Sequence, residues 1–155
     1  MKKLFFVLFM AIVSLNANAQ AGAIELGGKL NYGFDTEAVG FGIVGRYNFT
    51  NNFRGEALFN YYPKKDHVSY WDTDLNLHYV FHVTDRFKLY PLGGIALVGW
   101  SEDVFDTSDS KIGANLGGGL QFNITGNLHL NAEAFWQYVE DHDQAVTNIS
   151  LVYVF

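Results

Sequence analysis

From Ile24 to Phe155 the chain alternates apolar and polar residues with a period of two, the spacing that sends successive side chains to opposite faces of a strand. In the first run Ile24, Leu26, Gly28, Leu30, Tyr32 and Phe34 share one face, and Glu25, Gly27, Lys29, Asn31 and Gly33 share the other. The second run, 39–49, sets Phe41, Ile43, Gly45, Tyr47 and Phe49 against Arg46 and Asn48. From Phe53 the apolar set is Phe53, Ala57, Phe59 and Tyr61 against Arg54, Glu56 and Asn60. From Trp71 it is Trp71, Leu75, Leu77, Tyr79 and Phe81 against Asp72, Asp74, Asn76, His78 and His82. Three later runs, Ile112 to Ile124, Leu128 to Tyr138 and Ile149 to Phe155, keep the same division. The fifth run, 87–99, is blurred by Leu92, Ala96 and Val98, and its Pro91 predicts a bulge or a break in the ladder.

The separators alternate as well. Thr50-Asn51-Asn52, 83–86 and Thr125-Gly126-Asn127 are short turns of residues that tolerate left-handed or Asx conformations, whereas 35–38, 63–70, 101–111 and 140–146 are longer polar segments. Eight strands with short and long connections at opposite ends predict an all-β, closed, eight-stranded antiparallel up-and-down barrel.

Composition decides which face is inside. Of 155 residues, 49% are hydrophobic, 17% aromatic and only 17% charged, and that much Phe, Tyr and Trp exceeds what eight strands can enclose. The polar face therefore lines the lumen and the apolar face meets lipid. Glu25, Lys29, Arg46, Arg54, Glu56 and Glu133 are then inward, and since buried charges persist only when paired, they are expected to form a lumenal ion-pair network. Trp71, Trp100, Trp136 and Tyr138 fall beside the long loops. Tyr47, Phe49, Tyr153 and Phe155 fall beside the short turns or the terminus, as two interfacial aromatic girdles would.

Residues 1–19 read as a cleaved secretory signal: Lys2 and Lys3, an apolar run from Leu4 to Val13, and Ala17-Asn18-Ala19 before Gln20. Residues 20–155 form the barrel domain. Loss of Lys2 and Lys3 leaves eight basic residues against sixteen acidic ones, a net charge of about −8. An acidic chain lacks the basic surface that nucleic acid requires. With no cysteine there is neither a disulfide framework nor a thiolate metal site.

These residues resemble the small eight-stranded outer-membrane barrels of the OmpX and OmpA transmembrane-domain type, a porin-like group with an outer membrane protein β-barrel domain. The sharpest match is the terminal Ile149-Ser150-Leu151-Val152-Tyr153-Val154-Phe155. The resemblance implies a Gram-negative outer-membrane location, surrounding lipid and lipopolysaccharide, and recognition of Tyr153 and Phe155 by the barrel-assembly machinery. It also implies a non-enzymatic structural or surface-interaction role with an extracellular protein or cell-surface ligand as partner. A small-solute channel and a lipid A-modifying enzyme are the alternatives.

Candidate chemistry is sparse. His67-Val68-Ser69 resembles the His-x-Ser of lipid A deacylases, but no Glu follows before Tyr90, and Asp72 and Asp74 have the opposite parity. His78 and His82, inward at i and i+4, would stand about 13 Å apart, too far for one metal ion. Asp103, Asp106 and Asp109 lack EF-hand spacing. No catalytic residue, metal site or cofactor is expected.

Overall fold

The computed structural model describes residues 21–65, 67–102 and 107–155; the expected signal segment lies outside them. Eight strands follow in order: β1 Ile24–Gly33, β2 Ala38–Asn48, β3 Phe53–Lys65, β4 Val68–Tyr79 with a short continuation Phe81–His82, β5 Phe87–Glu102, β6 Thr107–Asn123, β7 Leu128–Val139 and β8 Gln144–Val154. Each pairs antiparallel with the next, and β1 pairs with β8 from Glu25↔Val154 to Gly33↔Val146. The sheet is therefore closed. Stepping across successive pairs from Glu25 passes Arg46, Glu56, Asn76, Gly94, Asn115, Gln137 and Gln144. The path returns to β1 about ten residues further on, the stagger that tilts the strands of a small barrel.

The ladder between β4 and β5 breaks at Val80 without changing register, since His78↔Leu92 and Phe81↔Leu89 lie on one diagonal. That diagonal places Pro91 and Tyr90 opposite the gap. Pro91 has no N–H to donate, and Val80 N–H donates instead to Asn52 O at 2.6 Å. Of the two outcomes expected from Pro91, the break occurs.

The longer connections are shorter than the sequence pattern suggests. β3 continues to Lys65 and β4 begins at Val68, so most of 63–70 is a paired ribbon; β5 and β6 likewise pair from Ser101↔Ser108 and Glu102↔Thr107 downward, inside the expected 101–111 loop. Polar residues conceal these extensions, because beyond the lipid both faces of a strand meet water and the alternation disappears.

The barrel is inside out. Among the described residues thirty large apolar side chains are exposed, including Ile112, Ile43 and Leu116, while Arg54, Glu56, Asp74 and His78 are almost fully enclosed. An exposed apolar surface that wraps every strand is stable against lipid and not against water. The lumen is nonetheless not uniformly polar. Val44, Leu58 and Val152 form one inward apolar cluster, Ala96, Val98 and Val139 a second, and Tyr90, Leu92 and Phe135 lie in a third with Val80 and Val146.

Glycine makes room for these larger groups. A Cβ on Gly119 would lie 2.5 Å from the Tyr90 ring, and one on Gly117 would overlap Phe135. Gly94 and Gly27 are the tightest inward positions, and at Gly94 a Cβ would overlap the Leu75 carbonyl and the Asn76 side chain. Outward-facing Gly28 has nothing within 4 Å. Gly94→Ala is expected to destabilise the barrel by about 1–3 kcal/mol, whereas Gly28→Ala should stay within about 0.5 kcal/mol of the parent. Urea titration of folding in lipid vesicles measures both.

Candidate functional site: the lumenal charge network

All six charged residues singled out by strand parity are buried, and they converge in the half of the lumen nearest the short turns. β2 carries the hub. Arg46 lies directly opposite Glu25 on β1 and Glu56 on β3, and its guanidinium reaches three carboxylates: Nε donates to Glu56 Oε2 at 2.6 Å, Nη2 donates to Glu133 Oε1 at 2.8 Å, and Nη1 lies 3.8 Å from Glu25 Oε2. A planar fork with five donors suits such a site better than an ammonium group would.

Glu133 accepts from four groups. Lys29 Nζ donates at 2.9 Å, Arg46 Nη2 at 2.8 Å, the Tyr90 hydroxyl at 2.7 Å and Asn148 Nδ2 at 2.9 Å. Arg54 is held differently. Its Nη1 donates to Gln121 Oε1 at 2.6 Å and lies 3.7 Å from Glu25 Oε1, while its Nη2 is 3.0 Å from His78 Nδ1. With Nδ1 accepting, neutral His78 carries its proton on Nε2, which stands 3.3 Å from Glu56 Oε1 without good hydrogen-bond alignment. The Tyr90 ring is stacked on His78 at 4.6 Å, and the Arg54 guanidinium lies over it at 4.7 Å. Three carboxylates and three basic groups thus balance.

Glu56, His78 and Glu133 present ligand atoms within 4.8 Å of one another. The Arg46 guanidinium already bonds both carboxylates, so the positive charge a metal would bring is supplied by the protein.

Tyr90 is the main member that strand parity did not isolate. It belongs to the blurred fifth run, and its signal is shared parity with Lys88 and Leu92 opposite the inward glycine Gly119. Two aromatic and histidine placements need correcting. His82 keeps the parity of His78 but is exposed instead of lining the lumen, because it is the last residue of the continuation Phe81–His82, at the lower rim. Trp100 shares the parity of buried Ala96 and Val98 and stacks on His142 at 4.9 Å, so it leans over the mouth and not toward lipid. Trp136, Tyr138, Tyr47, Phe49, Tyr153 and Phe155 are exposed on the outer face, and Trp71 packs against Phe59 and covers Gly99.

His67 is an exposed turn residue with φ 69°, whereas Ser69 is buried on β4. Among the described residues no hydrogen bond joins them. Asp109 is exposed near the start of β6; Asp103 and Asp106 lie outside the described residues.

Truncating one member of a buried network leaves the others charged and unpaired. Glu133→Leu is expected to cost about 3–5 kcal/mol of folding stability. Adding Lys29→Met should return part of that loss, with a coupling of about 1–3 kcal/mol in a double-mutant cycle read by urea titration.

The model of the family described as "Outer membrane protein beta-barrel domain" matches residues 5–155. Solved structures with the same fold include the N-terminal β-barrel domain of Pseudomonas aeruginosa OprF, with TM-score 0.75 and 20% identity, covering 87% of this chain and 98% of that one. Ail, the attachment invasion locus protein of Yersinia pestis, solved in complex with the heparin analogue sucrose octasulfate, has TM-score 0.62 and 21% identity over 86% of this chain and 97% of Ail. The Pseudomonas aeruginosa outer membrane protein OprG has TM-score 0.63 and 11% identity, covering 89% and 99%. No curated protein matches. The closed, inside-out barrel and the family match agree: the chain belongs to the outer membrane protein β-barrel domain family and resides in the outer membrane of a Gram-negative cell.

Proposed function

We propose that this protein is a non-enzymatic outer-membrane barrel with a plugged lumen, whose role is structural support of the envelope and contact at the cell surface. The observation that carries this reading is the Arg46–Glu133–Glu56 cluster. Its fully buried side chains, together with Tyr90, occupy the lumen from wall to wall, in a barrel whose width allows little more than side chains. With lipid on the outside and the short-turn half of the lumen filled, the chemistry left free is at the outer end.

That rim is acidic. Asp35, Glu37, Asp109, Glu140, Asp141 and Asp143 are all exposed, and Lys111 is engaged by Asp141 at 3.5 Å and by the Glu140 carbonyl at 3.2 Å. A negative surface disfavours polyanions such as the heparin analogue held by Ail and favours cationic or cation-bridged partners, including lipopolysaccharide. The exposed aromatic residues at the two ends serve as interfacial girdles, and Tyr153 with Phe155, whose rings meet edge to face at 5.0 Å, serve as the assembly signal.

In planar bilayers the purified barrel is expected to show no steady large conductance. A persistent open channel would favour the small-solute porin reading and count against a plug. The barrel should also pass through heparin resin at about 0.15 M salt, where charges separated by more than about 8 Å are screened; retention would contradict the acidic-rim reading. Crosslinking on intact cells then identifies what the outer loops touch, and an altered lipid A acyl pattern on expression would support the enzymatic alternative. Phe155→Ala should lower the heat-modifiable fraction recovered from membranes, and unchanged recovery would remove the terminal aromatic from the assembly signal.

A further inference from the structure

The outer half of the lumen holds a second acidic group that the Arg46 network does not reach. Asp72 and Asp74, two residues apart on β4, both point inward and are 3% and 0% exposed. Being two residues apart on one face of the same strand, they are neighbours whose charges act on each other. Asp72 Oδ1 is held by Asn60 Nδ2 at 2.5 Å, and Asn60 Oδ1 in turn accepts from Asn31 Nδ2 at 2.8 Å. Neither oxygen of Asp74 has a hydrogen-bond donor.

Two like carboxylates side by side in a lumen cannot both remain bare and ionised. Of the inward basic groups, Lys29, Arg46 and Arg54 are committed to the Glu25, Glu56 and Glu133 carboxylates, and Lys88 stands opposite Gln121 toward the short-turn end. The charge of Lys29 on β1 acts on the pair, but Lys29 is bonded to Glu133; Glu56 on β3 adds a further negative charge and is bonded to Arg46. On β3 the pair is also flanked by the Tyr62 phenol, and the facing positions of β5 are the apolar Ala96 and Val98. Among the described residues no basic side chain lies within 4.0 Å of either aspartate.

An independent feature points to the nature of the missing charge. Asn115 on β6 is 3% exposed, its amide lies beside Asp74, and its Oδ1 has no donor. Its own Nδ2 is spent on Asn76 Oδ1 at 3.1 Å, across the gap that Gly94 leaves in β5. A shared proton would satisfy the carboxyl pair alone. A hard cation would use the carboxylate oxygens and the amide oxygen together, which is the donor set that Ca²⁺ and Mg²⁺ favour. Of the three residues, Asp72 reaches a recess of about 20 Å³ that Tyr62, Tyr70, Trp71 and Val98 also line, about the space of one water-sized sphere.

We propose that Asp72, Asp74 and Asn115 form an intralumenal site for a divalent cation, entered from the outer mouth of the barrel. The site stands apart from any surface partner and depends only on the closed barrel.

The three aromatic rings at the recess make the site directly observable. With the mature barrel refolded in detergent, excitation of Tyr and Trp should sensitise Tb³⁺ luminescence that saturates and is displaced by Ca²⁺. Asp74→Asn should raise the Tb³⁺ concentration at half-saturation by about tenfold or more, consistent with loss of a charged ligand from a site tuned by ligand charge, while the exposed-rim pair Asp109→Asn with Asp141→Asn should leave it unchanged. Ca²⁺ should also raise the unfolding temperature of the parent but not of Asp74→Asn, because a ligand bound only to the folded state stabilises it. Absence of a saturable sensitised signal in the parent overturns the proposal whether or not the variant folds. A signal lost with the rim substitutions and kept in Asp74→Asn assigns binding to the surface acids and overturns it equally. If Asp74→Asn stabilises the barrel to the same extent with and without Ca²⁺, the pair shares a proton and the cation site is excluded.

Discussion

Closure of β1 onto β8 is the constraint on which the rest of the structure depends. In lipid no water is available for an unpaired strand edge, so the ladder from Glu25↔Val154 to Gly33↔Val146 must form for any strand to be stable. Closing eight strands also fixes the bore. Every inward residue then competes for one narrow volume, and a large group at one position demands a small one opposite. Tyr90 is accommodated by Gly119, Phe135 by Gly117, and the reach of Asn76 toward Asn115 by Gly94. These three inward glycines answer a packing requirement and not a need for unusual backbone angles.

A narrow, closed bore also determines how charge can be carried. Replacing a buried ion-pair cluster by apolar groups of equal volume is often neutral or stabilising, so the Arg46 cluster is poorly explained as a source of stability alone. Its geometry suggests register. Arg46 has acids directly opposite on both neighbouring strands, and a slip of β2 by one residue against either would turn its guanidinium toward lipid. Glu133 supplies the contact across the bore, joining β1, β2, β5 and β8 to β7. Pairwise ladders fix neighbours, whereas this cluster ties together strands that never touch through their backbones.

Period-two alternation made the strands, their two faces and the inward acids and bases legible, because parity follows directly from pleat geometry. Arg46 opposite Glu56 could be anticipated from the short 50–52 turn. Other features depended on information that one strand does not carry. Leu58 and Tyr62 look like interruptions of a polar face until Val44, Val152 and Gly40 are brought against them by neighbouring strands. Trp100 resembles a girdle residue by its position near a loop, but its parity with Val98 turns it over the mouth, where His142 from a different hairpin supports it. The paired ends of β3, β4, β5 and β6 were hidden for the opposite reason: outside the bilayer nothing selects an apolar face, so strand pairing leaves no pattern.

The two halves of the lumen solve the burial of charge in different ways. Near the short turns each carboxylate meets a base, and the Arg46 cluster is neutral without help from solution. Toward the outer mouth the inward residues change to amides and aspartates, with Asn31, Asn60 and Asp72 linked in a chain of donors and acceptors that ends on acid. That chain opens beneath a rim carrying Asp35, Glu37, Glu140, Asp141 and Asp143. Acidic rims above a low-dielectric bore concentrate cations and repel anions, so the electrostatic gradient runs inward from the cell surface and stops at the Arg46 cluster. The lumen is therefore acidic toward its outer end and charge-paired toward its inner one, an asymmetry written into which strand positions carry Asp and Asn and which carry Arg and Lys.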